Sequence, residues 1–322
     1  RTPLAQPMLY WANVAVHATE DYQIIFPPST EFATFHGKNQ FACWPESAEV
    51  FNRVDDTDGV DISWDKNLPA PTSFFAWNSE EDFSAGYDHR KKAGVVHVAD
   101  HHIAQGKKFW TWGTGSQGKA WEKILTDSDG PYIELMVGAY SDNQPDYSWL
   151  QPYETRVIKQ YWFPLREIQG VKKANTEAAL FLDATPEGKV NMGLNTTAVH
   201  RGAKVFLKEN NKILFEKIID IAPDAPFFEE TKIPEGIAEG NLRLSLFSPS
   251  GEELISYQPA TKSQEKTMPE PVMPPPPPEK IMTVDELYHT GLRLEQFLNP
   301  SHESIPYYLE ALKRDPDNYP VN

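Results

Sequence analysis

All nine tryptophans of this 322-residue chain lie between Trp11 and Trp162, and the second half has none. One evenly built domain does not divide its largest aromatic residues that way, so the chain should hold at least two parts with different interiors. The local pattern changes at the same place. Up to about residue 168, short extended runs such as Tyr22–Phe26, Gly94–Val98 and Tyr132–Met136 alternate with Gly, Pro, Asn and Asp clusters. That pattern predicts an all-β domain with elaborate loops and no amphipathic helix. Over 171–258 the runs Ala178–Leu182, Val190–Leu194, Ala203–Leu207, Lys212–Phe215, Leu242–Phe247 and Leu254–Tyr257 follow one another, with turns at 209–212 and 248–251. Their spacing of about ten residues predicts an immunoglobulin-like β-sandwich. It lacks cysteine and tryptophan, and so belongs to the generic kind rather than the antibody kind.

Eight prolines crowd residues 259–281, five of them consecutive from Pro274 to Pro278. This composition reads as a semi-rigid polyproline spacer, with a docking site for a proline-reading partner as the alternative. From Thr283 the apolar period becomes helical. Thr283 and Glu286 have capping-box spacing, and Leu287, Gly291, Leu294 and Phe297 share a face. A second helix should run from Ile305 to Arg314. The spacing of Tyr308, Ala311 and Pro316 resembles the second half of a tetratricopeptide repeat, so 283–322 reads as the start of a repeat scaffold for protein partners. The chain begins at Arg1 and stops at Asn322 inside this pattern, and is expected to be a piece of a longer protein.

The net charge of −16 and the lack of any basic stripe argue against nucleic acid as a partner. The densest basic run, Arg90-Lys91-Lys92, reads as a solvated loop. Cys43 is the sole cysteine, which rules out an intramolecular disulfide or a Cys-built zinc site and leaves the compartment open. No apolar run has the length of a membrane-spanning helix.

Aromatic rings beside carboxylates and amides are the usual lining of a sugar site, because the C–H face of a pyranose stacks on Trp or Tyr while polar groups address its hydroxyls. Trp110 and Trp112, the stretch 141–149 with Asp142, Asp146 and Trp149, and Phe74–Asn78 have that make-up. His97, His101 and His102 invite a metal reading. Adjacent histidines on a strand point to opposite faces, however, so one packed and one exposed ring is the favoured alternative and no metal is expected. The chain contains no HExxH, P-loop, GxGxxG or GxSxG pattern, and no cofactor is implied.

The stretch Gly130 to Pro145, followed by Leu150-Gln-Pro-Tyr-Glu-Thr155, resembles the closing strands of the galactose mutarotase (aldose 1-epimerase) family. Gly86-Tyr-Asp-His89 and Asn13-Val-Ala-Val-His17 are similar to two further blocks of that family. The resemblance implies a β-supersandwich over residues 1–168 that lacks its first strands. It also implies Glu134 as catalytic base, His17 as catalytic acid and Asp88 as a sugar contact. Tyr153 stands where the family's turn has a glycine. Tyr10–His17 and Trp149–Glu154 resemble most closely the blocks of uncharacterised bacterial mutarotase-like proteins with C-terminal tetratricopeptide repeats.

The expected fold is therefore mainly β: a mutarotase-like supersandwich (1–168), an immunoglobulin-like sandwich (171–258), a Pro-rich linker (259–281) and a helical repeat start (283–322). The expected function is chemistry on a sugar ring or glycosidic bond by Glu134 and His17, with Asp88, Trp110, Trp112, Asp142, Asp146 and Trp149 binding the sugar. Epimerisation would use the carboxylate and imidazole as base and acid; hydrolysis would need two carboxylates, for which Asp88, Glu134, Asp142, Asp146 and Glu154 are available. The alternative is a non-catalytic glycan-binding scaffold.

Overall fold

Apolar residues recurring with a period of two fold the first half into two antiparallel sheets that share a buried face. The computed structural model describes residues 6–8, 10–260, 267–296, 299 and 301–321. The strands of these sheets are β1 (Tyr10–His17), β2 (Tyr22–Ile25), β3 (Phe32–Thr34), β4 (Phe41–Cys43), β5 (Thr72–Ala76), β6 (Phe83–Asp88), β7 (Ala93–Val98), β8 (Gly106–Thr111), β9 (Tyr132–Ala139) and β10 (Tyr161–Arg166). One sheet has six strands in the order β1-β9-β8-β5-β3-β4, the other four in the order β10-β7-β6-β2.

Phe74, Phe109, Ile133 and Leu135 from the larger sheet meet Tyr22, Ile24 and Phe26 from the smaller one. Phe74 stacks between Phe51, at 4.5 Å, and Phe109, at 5.2 Å. Of the nine tryptophans, only Trp44 is buried, so the tryptophan skew marks the surface of this domain rather than its core. Among the other eight only Trp121 is exposed and seven are half-buried, so part of each ring stays accessible to a ligand.

A helix, α1 (Ser116–Leu125), interrupts the strands where none was expected. It buries only Gly118, has no side-chain cap at its N-terminus and leaves Trp121, Ile124 and Leu125 exposed. Its apolar spacing is confined to the last turn, Trp121, Ile124 and Leu125, too short a run to announce a helix among the surrounding strands and loops.

The next eight strands are β11 (Lys173–Ala174), β12 (Ala178–Ala184), β13 (Lys189–Thr196), β14 (His200–Glu209), β15 (Lys212–Ile221), β16 (Phe227–Lys232), β17 (Leu242–Phe247) and β18 (Glu253–Tyr257). They form two antiparallel sheets, β11-β12-β13-β16 and β15-β14-β17-β18, closed over Leu180, Leu182, Met192, Leu194, Val205, Leu207, Leu244 and Leu246. Phe83, Tyr87 and Val96 from the first half join Ile168, Val171 and Ala179 in one apolar cluster. The two sandwiches are thereby packed together rather than strung on a free linker.

The Pro-rich segment does not run free either: the Val272 amide donates to the carbonyl of Lys38 at 2.8 Å. It leads to α2 (Val284–Gln296) and α3 (Ile305–Arg314). The capping box forms as expected, with the Glu286 amide donating to Thr283 Oγ1 and the Thr283 amide donating to Glu286 Oε2. Leu287, Gly291 and Leu294 are buried against Tyr307 and Ala311, and the Tyr308 ring lies so close over Gly291 that a Cβ there would meet it at 2.6 Å. Phe297 lies outside the described residues. Thr283→Ala removes the acceptor of the Glu286 amide, leaves the bond from the Thr283 amide, and should cost α2 about 1 kcal/mol. Hydrogen exchange of the Glu286 amide reads this directly: it should speed up severalfold, and an unchanged rate would deny the cap its role. Among the described residues no helix is long and apolar enough to cross a membrane.

Candidate functional site

Ile133 and Leu135 point into the core, so alternation turns Glu134 to the opposite, open face of the six-stranded sheet. Strand register carries that face sideways. Glu134 pairs with Trp110 on β8 and with Ala15 on β1, and Tyr132 pairs with His17. Met136 pairs with Asn13 and Lys108, and Lys108 in turn with Phe75 on β5. His17 and Glu134 are therefore diagonal neighbours on adjacent strands, a relation that sets the two residues about 7–8 Å apart. Glu134 is half-buried, and its Oε2 accepts a bond from Asn13 Nδ2 at 3.2 Å. His17 is exposed on the edge strand.

Around this pair the face is aromatic. The Trp11 indole lies across Gly138 and Gly106, where a Cβ would approach its ring to 2.7 and 2.6 Å. Two glycines in register thus make the bed of a flat ring, and Phe75 meets its edge at 5.3 Å. On the other side Trp110 and Trp112 stand edge to face at 5.4 Å, and Trp121 of α1 stacks on Trp112 at 5.1 Å. Trp112 Nε1 donates to the Tyr132 hydroxyl at 3.0 Å, which fixes this wall to the strand carrying Glu134.

Two further polar side chains sit here. Lys108 Nζ lies over the Phe75 ring at 4.7 Å and near Trp11 at 5.5 Å. Burial pushes its pKa down to about 8, against the opposing pull of Glu134. His36 packs on Phe75 at 4.9 Å, and its Nδ1 bonds Gln144 Oε1 at 3.2 Å. Burial and then the charge of Lys108 lower its pKa, so its neutral form is favoured.

The remaining expected site residues fall elsewhere or are already engaged. Asp88 is on β6 of the smaller sheet, 3% exposed, where it accepts from Thr19 Oγ1 at 3.1 Å and from the Lys91 amide at 2.9 Å. It closes the β6–β7 turn and is not brought to the face of Glu134 and His17. Asp142 and Asp146 both bind Lys38 Nζ, at 2.9 and 2.6 Å. Burial lowers the pKa of that ammonium, but the two carboxylates more than offset it and hold it above the ordinary lysine value. Trp149 lies on the short strand Ser148–Leu150, paired with Gln6–Met8. Glu154 sits in a turn, where Arg156 and the Gln151 amide hold its carboxyl below the usual range. Tyr153 beside it takes φ +63°, the conformation a glycine would supply at no steric cost.

The histidines separate. His97 is 1% exposed, packed on Trp162 and bonded to Gln160. His101 and His102 occupy a turn, not a strand, and their rings lie 4.0 Å apart instead of splaying to opposite faces. Together with Asp100 they offer ligand atoms within 4.8 Å of one another, while Asp82 takes His101 Nδ1 at 2.7 Å.

His36 and Lys108 lie outside every stretch the sequence singles out, whereas Trp11, Asn13 and Phe75 fall inside quoted stretches with no role of their own. Alternation outward from Glu134 would have flagged its own strand. The partners on β1, β5 and β8 needed the register, which one sequence does not carry.

Residues 1–165 match the family described as a domain of unknown function, DUF5107, and residues 173–257 match the second domain of YphG-like proteins. A solved structure, a TPR-domain containing protein from Parabacteroides distasonis ATCC 8503, is 22% identical over 51% of this chain, with a TM-score of 0.40. The chain spans about a quarter of that protein, 26% of its length.

Proposed function

We infer the activity from the site's own residues, since the chain belongs to the DUF5107 family and that membership names no reaction. The proposal is a carbohydrate-active module that binds a sugar on the open face of the six-stranded sheet and moves protons with Glu134 and His17. In this reading the first sandwich is a mutarotase-like scaffold, the second an immunoglobulin-like one, and the helix pair the start of a tetratricopeptide-like scaffold for protein partners.

The observation that carries the proposal is the state of the carboxylates. Asp88, Asp142, Asp146 and Glu154 are each committed to a cation, a cap or both. Among the described residues Glu134 has the Asn13 amide as its one hydrogen-bond partner, and it lies on an aromatic-rich sheet face. One uncommitted carboxylate beside one imidazole suits proton transfer at an anomeric hydroxyl and ring oxygen better than it suits a two-carboxylate hydrolysis.

The ring bed supplies the test of binding. Trp11→Ala removes the flat indole without touching Glu134 or His17 directly, and should weaken binding of the sugar about tenfold, the scale of a stacked aromatic contact. Saturation-transfer NMR against a panel of monosaccharides and oligosaccharides reads this. No sugar registering on the wild-type chain would end the proposal. Binding without any turnover would instead support the glycan-binding scaffold, which the exposed edge position of His17 favours.

A further inference from the structure

Lys108 is the unexplained charge of the site. Its Nζ lies over the rings of Phe75 and Trp11, and among the described residues no carboxylate comes within ion-pair distance of it. Elsewhere on this face a buried lysine is handled differently: Lys38 has two carboxylates to itself. A partly desolvated ammonium without a counter-ion is costly unless a ligand supplies one.

We propose that Lys108 selects a carbohydrate carrying one anionic substituent, a uronic acid carboxylate or a sulfate ester, seated over Phe75 with its reacting carbon toward Glu134. This rests on the carbohydrate reading above and adds the substrate class to it.

Three observations fix the form of the ligand. Lys108 and Glu134 are diagonal neighbours on β8 and β9, about 7–8 Å apart, a span over which one pyranose ring can reach both side chains. The charged groups facing Lys108 are Glu134 from β9 and, when protonated, His36 from the turn at 36–38. With His36 neutral, Lys108 is the one cation of this group and Glu134 the one anion facing it. A ligand with a single negative charge can then meet Lys108 without pressing a second acidic group against Glu134. The chain's net charge of −16 repels a dense polyanion, so the ligand is an isolated acidic sugar rather than a heavily sulfated chain.

The experiment compares methyl glycosides in matched sets, neutral, uronate and 6-sulfate, titrated calorimetrically against the wild type, Lys108→Met and Lys108→Arg. Inorganic sulfate alone serves as the ion control. The wild type should prefer one charged sugar over its neutral partner by about tenfold or more, the worth of a charge-assisted hydrogen bond. Lys108→Met should collapse that ratio toward one, and Lys108→Arg should keep it. The uronate and sulfate arms identify which anion is read. The wild-type preference should fade as pH rises through about 8, where the ammonium loses its proton, and should persist in Lys108→Arg. Equal binding of charged and neutral sugars, or a ratio untouched by Lys108→Met in a variant that retains its near-ultraviolet circular dichroism, overturns the proposal. Inorganic sulfate competing as well as the charged sugars does so too. If neutral and charged sugars alike fail to bind the wild type, the carbohydrate reading falls first.

Discussion

Glu134→Gln should lower turnover of the sugar about a thousandfold, roughly 4 kcal/mol in the barrier, and leave the sugar's affinity within about threefold. The substitution is nearly isosteric, and a glutamine carbonyl still accepts from Asn13 Nδ2, so the geometry of the face is kept. What is lost is the capacity to take a proton. Glu134 stands between Trp110 on one strand and Ala15 on the other, half-buried on the open face of the sheet. Exchange between anomers, followed by magnetisation transfer on the wild type and the variant, separates the chemical step from binding. Equal rates would remove Glu134 from the chemistry while leaving the sheet face as a binding site. A loss of binding parallel to the loss of rate would show that Glu134 mainly holds a hydroxyl. His17→Ala makes the complementary measurement: if imidazole is the acid, its removal acts on the rate and not on affinity.

The second sandwich was the more legible half. Its strands bury one face each, and alternation was visible in Ala178–Leu182, Val190–Leu194 and Leu242–Phe247, which lie within or coincide with β12, β13 and β17. Strand β16 went unseen because Phe227 and Phe228 are followed by Glu-Glu-Thr-Lys, an alternation written in half-exposed and exposed polar residues. The helix pair was equally clear, since Thr283 and Glu286 are local partners and a capping box is a local device.

The candidate site was legible only along β9. Glu134 stands out because its neighbours Ile133 and Leu135 are apolar, whereas the residues that surround it come from β1, β5 and β8, up to 121 positions away in the case of Asn13. Asp88 illustrates the converse error. Its motif is conspicuous, yet the same carboxylate that suits a sugar hydroxyl suits a turn amide, and in this chain the Lys91 amide has it. The tryptophans cluster in the first half of the chain, yet composition does not tell which of them lie half-open on the sheet face; Trp11 does so because Gly106 and Gly138 lie in register beneath its ring.

Acidification should destabilise the first domain by about 3 kcal/mol between pH 7 and pH 4 through one side chain, His97. Its ring is 1% exposed on β7, with Nε2 against Gln160 Oε1 at 3.3 Å and Nδ1 without a partner. Burial pushes its pKa down to about 4, Gln160 opposes that, and the Lys107 ammonium adds to it. The folded pKa lies below the ordinary histidine value, so from pH 6.5 downward the unfolded chain takes up a proton that the folded chain refuses. Stability therefore falls with falling pH across that window and levels off below about 4. Lys107 contributes nothing to this limb, because it is protonated in both states there. Its own unpartnered ammonium, 1% exposed and pushed down by burial to about 8, acts above pH 8, where the folded chain sheds the proton first and stability rises with pH. Other groups also titrate in acid, so the measurement is a difference. Chemical unfolding of the wild type and of His97→Phe, which keeps a ring against Trp162, is compared at half-unit steps from pH 7.5 to pH 4. The gap between the two stability curves should move by about 3 kcal/mol in favour of the variant as pH falls. Parallel curves would mean that the folded interior accepts the proton, and that water or a carboxylate reaches His97 by a route closed in this structure.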